Sequence, residues 1–215
     1  MAAVKGRFIT FEGGEGAGKS TQARLLADWL TQQGRPTVLT REPGGTPGAE
    51  AIRALLLCPP GAEWLPRAEA LLFAAARSDH VERLINPALA RGEWVISDRF
   101  IDSSLAYQGF AGGLGVEKVT ALHTIGTGGV WPDLTLVLRA PAATAAARVT
   151  ARDGSCRDAI GGRGEAYHSD VDAAFLQLVA AHPQRIREVD ASGDADAVHA
   201  LVRDAVAPLL EGAAR

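Results

Sequence analysis

The run Gly13-Gly14-Glu15-Gly16-Ala17-Gly18-Lys19-Ser20 constrains this chain more than any other stretch. It follows the apolar, β-rich segment Arg7 to Phe11 and precedes Ala23, Leu25, Leu26, Trp29 and Leu30, an apolar stripe at helical spacing with Gly34 at its end. A G-x-x-x-x-G-K-[ST] string between a strand and a helix is a phosphate-binding turn. Its glycines let the backbone curl until successive N–H groups face phosphate oxygens, and the helix N-terminus adds favourable potential. The pattern predicts that Gly13 to Ser20 and the following Thr21 surround a nucleotide's phosphates, with Lys19 bridging the β- and γ-phosphates and Ser20 ligating Mg²⁺. Such a turn names a nucleotide and leaves the reaction open, because GTPases, ATPases and small-molecule kinases share it.

Further β-rich runs recur at wide intervals, Thr37 to Thr40, Trp94 to Ser97, Leu134 to Leu138 and Arg185 to Val189, with helix-patterned sequence between them. Parallel strands need crossovers of this length, so the spacing predicts βαβ units. The expected fold is α/β and three-layered, a five-stranded parallel sheet flanked by helices, in a single P-loop domain over residues 1–215. Pro66 to Arg91 reads as a long helical region interrupted near Pro87, and Val198 to Leu210 as a closing amphipathic helix. Arg152 to Gly164 is rich in Gly, Arg and Asp without apolar periodicity, and reads as a mobile lid that cannot pack as core.

Charge narrows the partners. A net charge of −3 argues against a nucleic acid polymer, which a basic stripe would serve, while one small anion needs only a local basic pocket. Cys58 and Cys156 lie far apart without metal-ligand spacing and read as reduced thiols of a cytoplasmic protein. No apolar stretch reaches membrane-spanning length, so no membrane is expected.

A guanine-reading Asn-Lys-x-Asp run is excluded, since Asn86 is the only asparagine and precedes Pro87. The strings Asp158-Ala-Ile-Gly161 and Asp190-Ala-Ser-Gly193 match D-x-x-G, a pattern too short to carry weight. Trp94-Val95-Ile96-Ser97-Asp98-Arg99 says more, because it ends an apolar strand with an acid and then a base at the sheet's carboxyl edge. There Asp98 suits magnesium or its waters, and Arg99 suits bidentate contact with phosphate oxygens.

Four blocks then resemble the thymidylate kinase family: Phe11-Glu12-Gly13 leading into the turn, Arg41-Glu42-Pro43-Gly44-Gly45, Phe73 to Arg77 and on to His80, and Asp98-Arg99-Phe100 through Ser103-Ser104 to Tyr107-Gln108-Gly109. The likeness runs from Phe8 to about Ser192. It implies transfer of phosphate from MgATP to dTMP, a homodimer, and roles for particular residues. Phe73 stacks on thymine, Arg77 donates to its O4, Gln108 and Ser104 read the remaining base edge, and Tyr107 lies against the deoxyribose. Glu12, Glu42, Pro43, Arg53, Arg99 and Ser103 complete the acceptor site, and Arg148 packs on adenine. Lys19, Asp98, Arg99 and Glu15 form the reaction centre.

The resemblance also divides the family by the position of one arginine, in the phosphate turn or in the lid. Gly14, Glu15, Gly16 and Ala17 offer none, so a lid arginine is implied, with Arg152, Arg157 and Arg163 as candidates. The usual Asp-Arg order is reversed here as Arg157-Asp158. The helix from Pro66 to Arg91 is the expected contributor to a dimer interface. A kinase for another small acceptor and a regulatory P-loop protein are the competing readings.

Overall fold

The computed structural model describes residues 6–153 and 159–211. Among these, β1 (Arg7–Glu12), β2 (Thr37–Arg41), β3 (Trp94–Asp98), β4 (Leu134–Arg139) and β5 (Ile186–Asp190) form one sheet in the order β2-β3-β1-β4-β5. Every pairing is parallel. The three inner strands, β3, β1 and β4, are buried almost throughout because helices cover both faces, while the edge strands β2 and β5 stay partly exposed. Along β1 the sides alternate: Phe8 packs on one face with Val95, Val137 and Phe175, and Ile9 and Phe11 pack on the other with Leu26, Ile96 and Leu136.

The second of those faces is closed by α1 (Lys19–Gln32) and by α9 (Ala195–Glu211), whose Val198, Val202 and Val206 join Ala23, Leu26 and Leu30. On the first face lie α3 (Pro66–His80), α6 (Val116–Thr127) and α8 (Glu165–Ala181). Helix α2 (Pro47–Leu57) packs on α3. The long helical region is interrupted just before Pro87, as expected, though not by a break. It widens into a π-helical turn, Val81–Ile85, and resumes as α4 (Asn86–Ala90). Pro87 has no N–H for the carbonyl one turn back, and the widened turn, in which the Asn86 N–H reaches Val81 O, absorbs that loss.

A second π-helical segment, Leu105–Ala111, follows the single turn of α5 (Ile101–Ser104) and carries Tyr107 and Gln108. Helix α7 (Ala142–Asp153) runs past the expected start of the lid, and α9 begins three positions before Val198. The lid expectation needs a further correction. Ile160 packs against the first core cluster and Ala159 N donates to Leu57 O at 3.2 Å, so the described part of the segment is docked. Strand β5 starts at Ile186, and Arg185, expected within it, instead turns to a buried aspartate. Because all strands run the same way, Glu12, Arg41 and Asp98 reach one edge together, with Phe11 and Arg41 both in register with Asp98.

Candidate active site

The phosphate turn is squeezed between β4 and α7. A Cβ added at Gly13 would stand 2.3 Å from Leu138 O, and one at Gly16 would stand 2.2 Å from Ala145 O. Both glycines, like Gly18 beside the first turn of α1, have positive φ. Glycine is required here for space as well as conformation. Lys19, 7% exposed, curls back so that Nζ donates to Gly13 O at 3.1 Å and to Gly14 O at 2.6 Å. Burial, with Arg99 adding repulsion, pushes its ammonium down to about 7. An incoming polyphosphate adds its negative charge to that of Asp98 and Glu15, which already act on this buried cation.

Ser20 Oγ donates to Asp98 Oδ2, and the second oxygen of Asp98 is buried without a partner. A hydroxyl and a carboxylate with an unsatisfied oxygen, beside a phosphate turn, form an all-oxygen donor set that fits Mg²⁺, which takes one or two protein ligands and keeps phosphate and water for the rest. Arg99 sits at the corner with φ 70, in the left-handed region. Its N–H is held by Phe11 O at 2.9 Å, and its Nη1 donates to Ser103 Oγ at 3.0 Å and Gly13 O at 3.3 Å. The guanidinium stands 5.1 Å over the Tyr107 ring. The Tyr107 hydroxyl is buried near it without a well-formed hydrogen bond.

The acceptor end is built around Glu42. Arg77 Nε donates to Glu42 Oε2 at 2.8 Å, His80 Nδ1 lies 3.0 Å from Oε1, and His80 Nε2 lies 2.7 Å from Thr40 Oγ1. Arg77 Nη2 donates to Ser104 Oγ at 2.7 Å and to Phe100 O at 3.3 Å. Arg77 is therefore fixed before any ligand arrives. Phe73 belongs to neither core cluster and faces the cavity, half-buried. Arg53 Nη1 donates to Pro43 O at 2.7 Å, beside the cis Glu42-Pro43 bond.

One cavity of about 920 Å³ joins these parts. Its lining runs from Gly16, Lys19, Ser20 and Thr21 past Asp98 and Arg99 to Arg53, Phe73, Arg77, Ser103, Ser104, Tyr107 and Gln108. Glu15 and Arg148 lie on its rim. The Glu15 carboxylate lies against Gly161, where an added Cβ would come within 2.9 Å of both oxygens. Arg148 is pinned flat by Ala191 O and Gly193 O at 3.2 and 3.1 Å, next to Asp194 and Ala195.

Several expected site residues stand elsewhere. Glu12 does not line the cavity. It is wholly buried, where it accepts from Phe100 N at 2.8 Å and from Ser103 Oγ, and burial with the nearby Asp102 charge raises its carboxyl to about 8. It braces the Arg99–Ser104 corner from behind. Gly13, Gly14 and Pro43 also lie behind the lining. Arg163 is not at the phosphate turn. Its guanidinium pairs with Glu69 and donates to Tyr167 Oη at 2.7 Å, beside a separate cavity of about 530 Å³. Arg157 and the Arg152 side chain, with Cys156, lie outside the described residues. His80, Glu69 and Asp102 went unassigned in the sequence, because a buried polar partner dozens of positions away leaves no local signal.

A phosphate turn and an acid-arginine corner, opening into one cavity of about 920 Å³, define a P-loop nucleotide kinase. The model of the family described as thymidylate kinase matches residues 11–202. A thymidylate kinase of Rhizorhabdus wittichii is 52% identical, covering 96% of this chain and 100% of its own length. One from Gluconobacter oxydans is 51% identical with 95% of each chain covered. The crystal structure of thymidylate kinase from Ehrlichia chaffeensis superposes with a TM-score of 0.74 at 32% identity, over 93% of this chain and 97% of that one. The chain belongs to the thymidylate kinase family. Among its described residues no helix is long and apolar enough to cross a membrane.

Proposed function

We propose that this protein transfers the γ-phosphoryl group of ATP to the 5′-phosphate of dTMP, giving dTDP and ADP on the route to dTTP. The observation that carries the reading is the continuity of one lining from Lys19 and Ser20 to Phe73, Arg77 and Gln108. An aromatic face, a fixed guanidinium and an amide suit a pyrimidine base. Arg77 faces thymine O4 in this reading, and a cytosine amino group there would set donor against donor, at about 1–3 kcal/mol. Ser104 and Gln108 read the remaining edge, Tyr107 lies against the deoxyribose, and Arg53 and Glu42 border the acceptor's sugar and phosphate, with Pro43 behind them holding Arg53 through its carbonyl. Arg148 packs on adenine.

The acceptor phosphate, with a second pKa of about 6, is mostly dianionic at neutral pH, so no general base is needed. Catalysis consists of bringing two polyanions together and holding attacking oxygen, phosphorus and leaving oxygen in line. Lys19 bridges the β- and γ-phosphates, and Arg99 clamps oxygens of donor and acceptor. Mg²⁺, held by Ser20 and Asp98, supplies neutralisation across the donor phosphates when bound. Glu15 on the rim meets the lid at Gly161. With Arg163 engaged by Glu69, Arg152 and Arg157 are the candidates left for the catalytic lid arginine. The segment around Gly161, which meets Glu15 beside the phosphate turn, shields the transferring group from water and limits ATP hydrolysis without acceptor.

We further assign the whole chain, 1–215, to one catalytic domain that works in the cytoplasm as a homodimer. Leu71 on α3 and Ile125 on α6 support the dimer, being 56% and 83% exposed on two helices that pack together. An ADP-release assay across dTMP, dUMP, dCMP, AMP and thymidine tests the reaction. Turnover of dTMP well ahead of the others is expected; turnover of thymidine alone would overturn the assignment.

A further inference from the structure

The Gln108 amide is not free to choose its orientation. Its Nε2 donates at 2.9 Å to Oε1 of Glu69, which stands on the first turn of α3. Gln108 and Glu69 are 3% and 5% exposed. Arg163 donates to both oxygens of the same carboxylate, through Nη1 to Oε1 at 3.4 Å and through Nη2 to Oε2. With a guanidinium on both oxygens, Glu69 only accepts. An amide can turn its oxygen or its NH₂ toward a neighbour, and a pure acceptor permits only the second choice. Gln108 Oε1 is then the group left for the other side. It makes no hydrogen bond among the described residues, and Gln108 lines both the main cavity and the smaller one in front of Glu69.

The geometry points to Glu69 as a specificity-determining positioning residue, which fixes the Gln108 amide with its oxygen toward the acceptor base and so selects pyrimidines that carry an N3–H. The inference rests on the acceptor site assigned above. Thymine and uracil offer a donor at N3, which Oε1 accepts. Cytosine offers a lone pair there, which opposes Oε1. With a neutral amide in place of Glu69 the restriction disappears, because Gln108 can then turn its NH₂ to the base and satisfy its oxygen on the new side chain. Arg163 serves this arrangement by occupying both oxygens of Glu69, and Tyr167, which contacts Arg163 and donates to Tyr107 O at 2.9 Å, ties it to the segment that carries Gln108.

The test compares kcat/KM for dTMP and dCMP in the full-length wild-type protein, Glu69→Gln, Glu69→Asp, Gln108→Ala and the Glu69→Gln/Gln108→Ala double variant, with thermal melts confirming folding. Glu69→Gln is expected to lower the dTMP:dCMP ratio about tenfold, mainly through KM for dTMP, which is the scale of one misdirected hydrogen bond. Glu69→Asp, still a pure acceptor, keeps the preference. In the Gln108→Ala background the Glu69→Gln change shifts the ratio by less than about twofold, as non-additivity through a shared partner requires. An unchanged ratio in folded Glu69→Gln, an equal fall without Gln108, or loss of preference in Glu69→Asp would each overturn the inference. Should Glu69→Gln not fold, the Glu69→Asp ratio decides alone. Wild-type turnover of dTMP is read first in the same assay, so its absence condemns the acceptor assignment and not Glu69.

Discussion

Replacing Arg185 with leucine isolates the energetics of a buried charge that no ligand touches. Asp102 on α5 is wholly buried against the sheet. Arg185 Nη1 donates to its Oδ2 at 2.6 Å and Nη2 to its Oδ1 at 2.8 Å, and the only other donor described is Thr135 Oγ1 at 2.9 Å. Removing the guanidinium leaves a carboxylate with a single hydroxyl partner in the interior, and breaking such a pair costs about 3–5 kcal/mol. The guanidinium also stands 5.0 Å over Trp131, which adds about 0.5–1 kcal/mol. In a chain of this size each kcal/mol moves Tm by roughly 2–4 °C, so Arg185→Leu should melt roughly 7–24 °C lower. The double variant Asp102→Leu/Arg185→Leu should recover most of that, because it removes the orphaned charge and fills the space with apolar volume. Urea denaturation at pH 7 with matched calorimetry reads both. A single variant that loses less than about 1 kcal/mol, or a double variant no more stable than the single one, would refute the reasoning.

Glu12→Gln removes a carboxyl whose folded value, raised to about 8, exceeds its unfolded one of 4.5. The folded state holds the extra proton, so wild-type stability from this group is complete below 4.5 and is lost as pH rises through 8; urea melts should show the variant gaining on wild type between pH 5 and pH 8. Gly16→Ala puts a Cβ against Ala145 O in a left-handed conformation, and calorimetric titration should show ATP affinity falling by at least about tenfold with dTMP affinity little changed. Phe73→Ala removes the stacking face, and steady-state kinetics should show KM for dTMP rising by about 10- to 100-fold at constant KM for ATP, the equivalent of about 1–3 kcal/mol.

The inner strands β1, β3 and β4 were legible because they are β-rich and buried on both faces, the edge strands β2 and β5 because short β-rich runs recur at crossover spacing, and the phosphate turn because its chemistry is packed into consecutive residues. Asp98 and Arg99 were legible by position at the end of an apolar strand. What escaped the sequence is pairing across long intervals. Glu69 and Arg163 are 94 positions apart, and Arg77 and Glu42 are 35 apart, and neither separation has a period to read. The family resemblance places Glu12 in the acceptor site, yet strand alternation points it, like Phe8 and Thr10, to the side where Phe100 N and Ser103 Oγ meet its carboxyl. Arg185 looked like the first residue of a strand, and only the register of Thr135 against Ile186 shows that its side chain reaches Asp102. Composition sets residues 152–164 apart, but it does not reveal that Ile160, the Ala159 N–H and Arg163 each find a partner that docks the described part of that segment.

The central claim is that donor and acceptor occupy opposite ends of one cavity at the same time and exchange the phosphoryl group directly. Initial rates with ATP varied at several fixed concentrations of dTMP test it most simply. Double-reciprocal lines that intersect, with no ADP released in the absence of acceptor, are the expected result. Parallel lines, or a phosphorylated enzyme isolated after incubation with ATP alone, would contradict it.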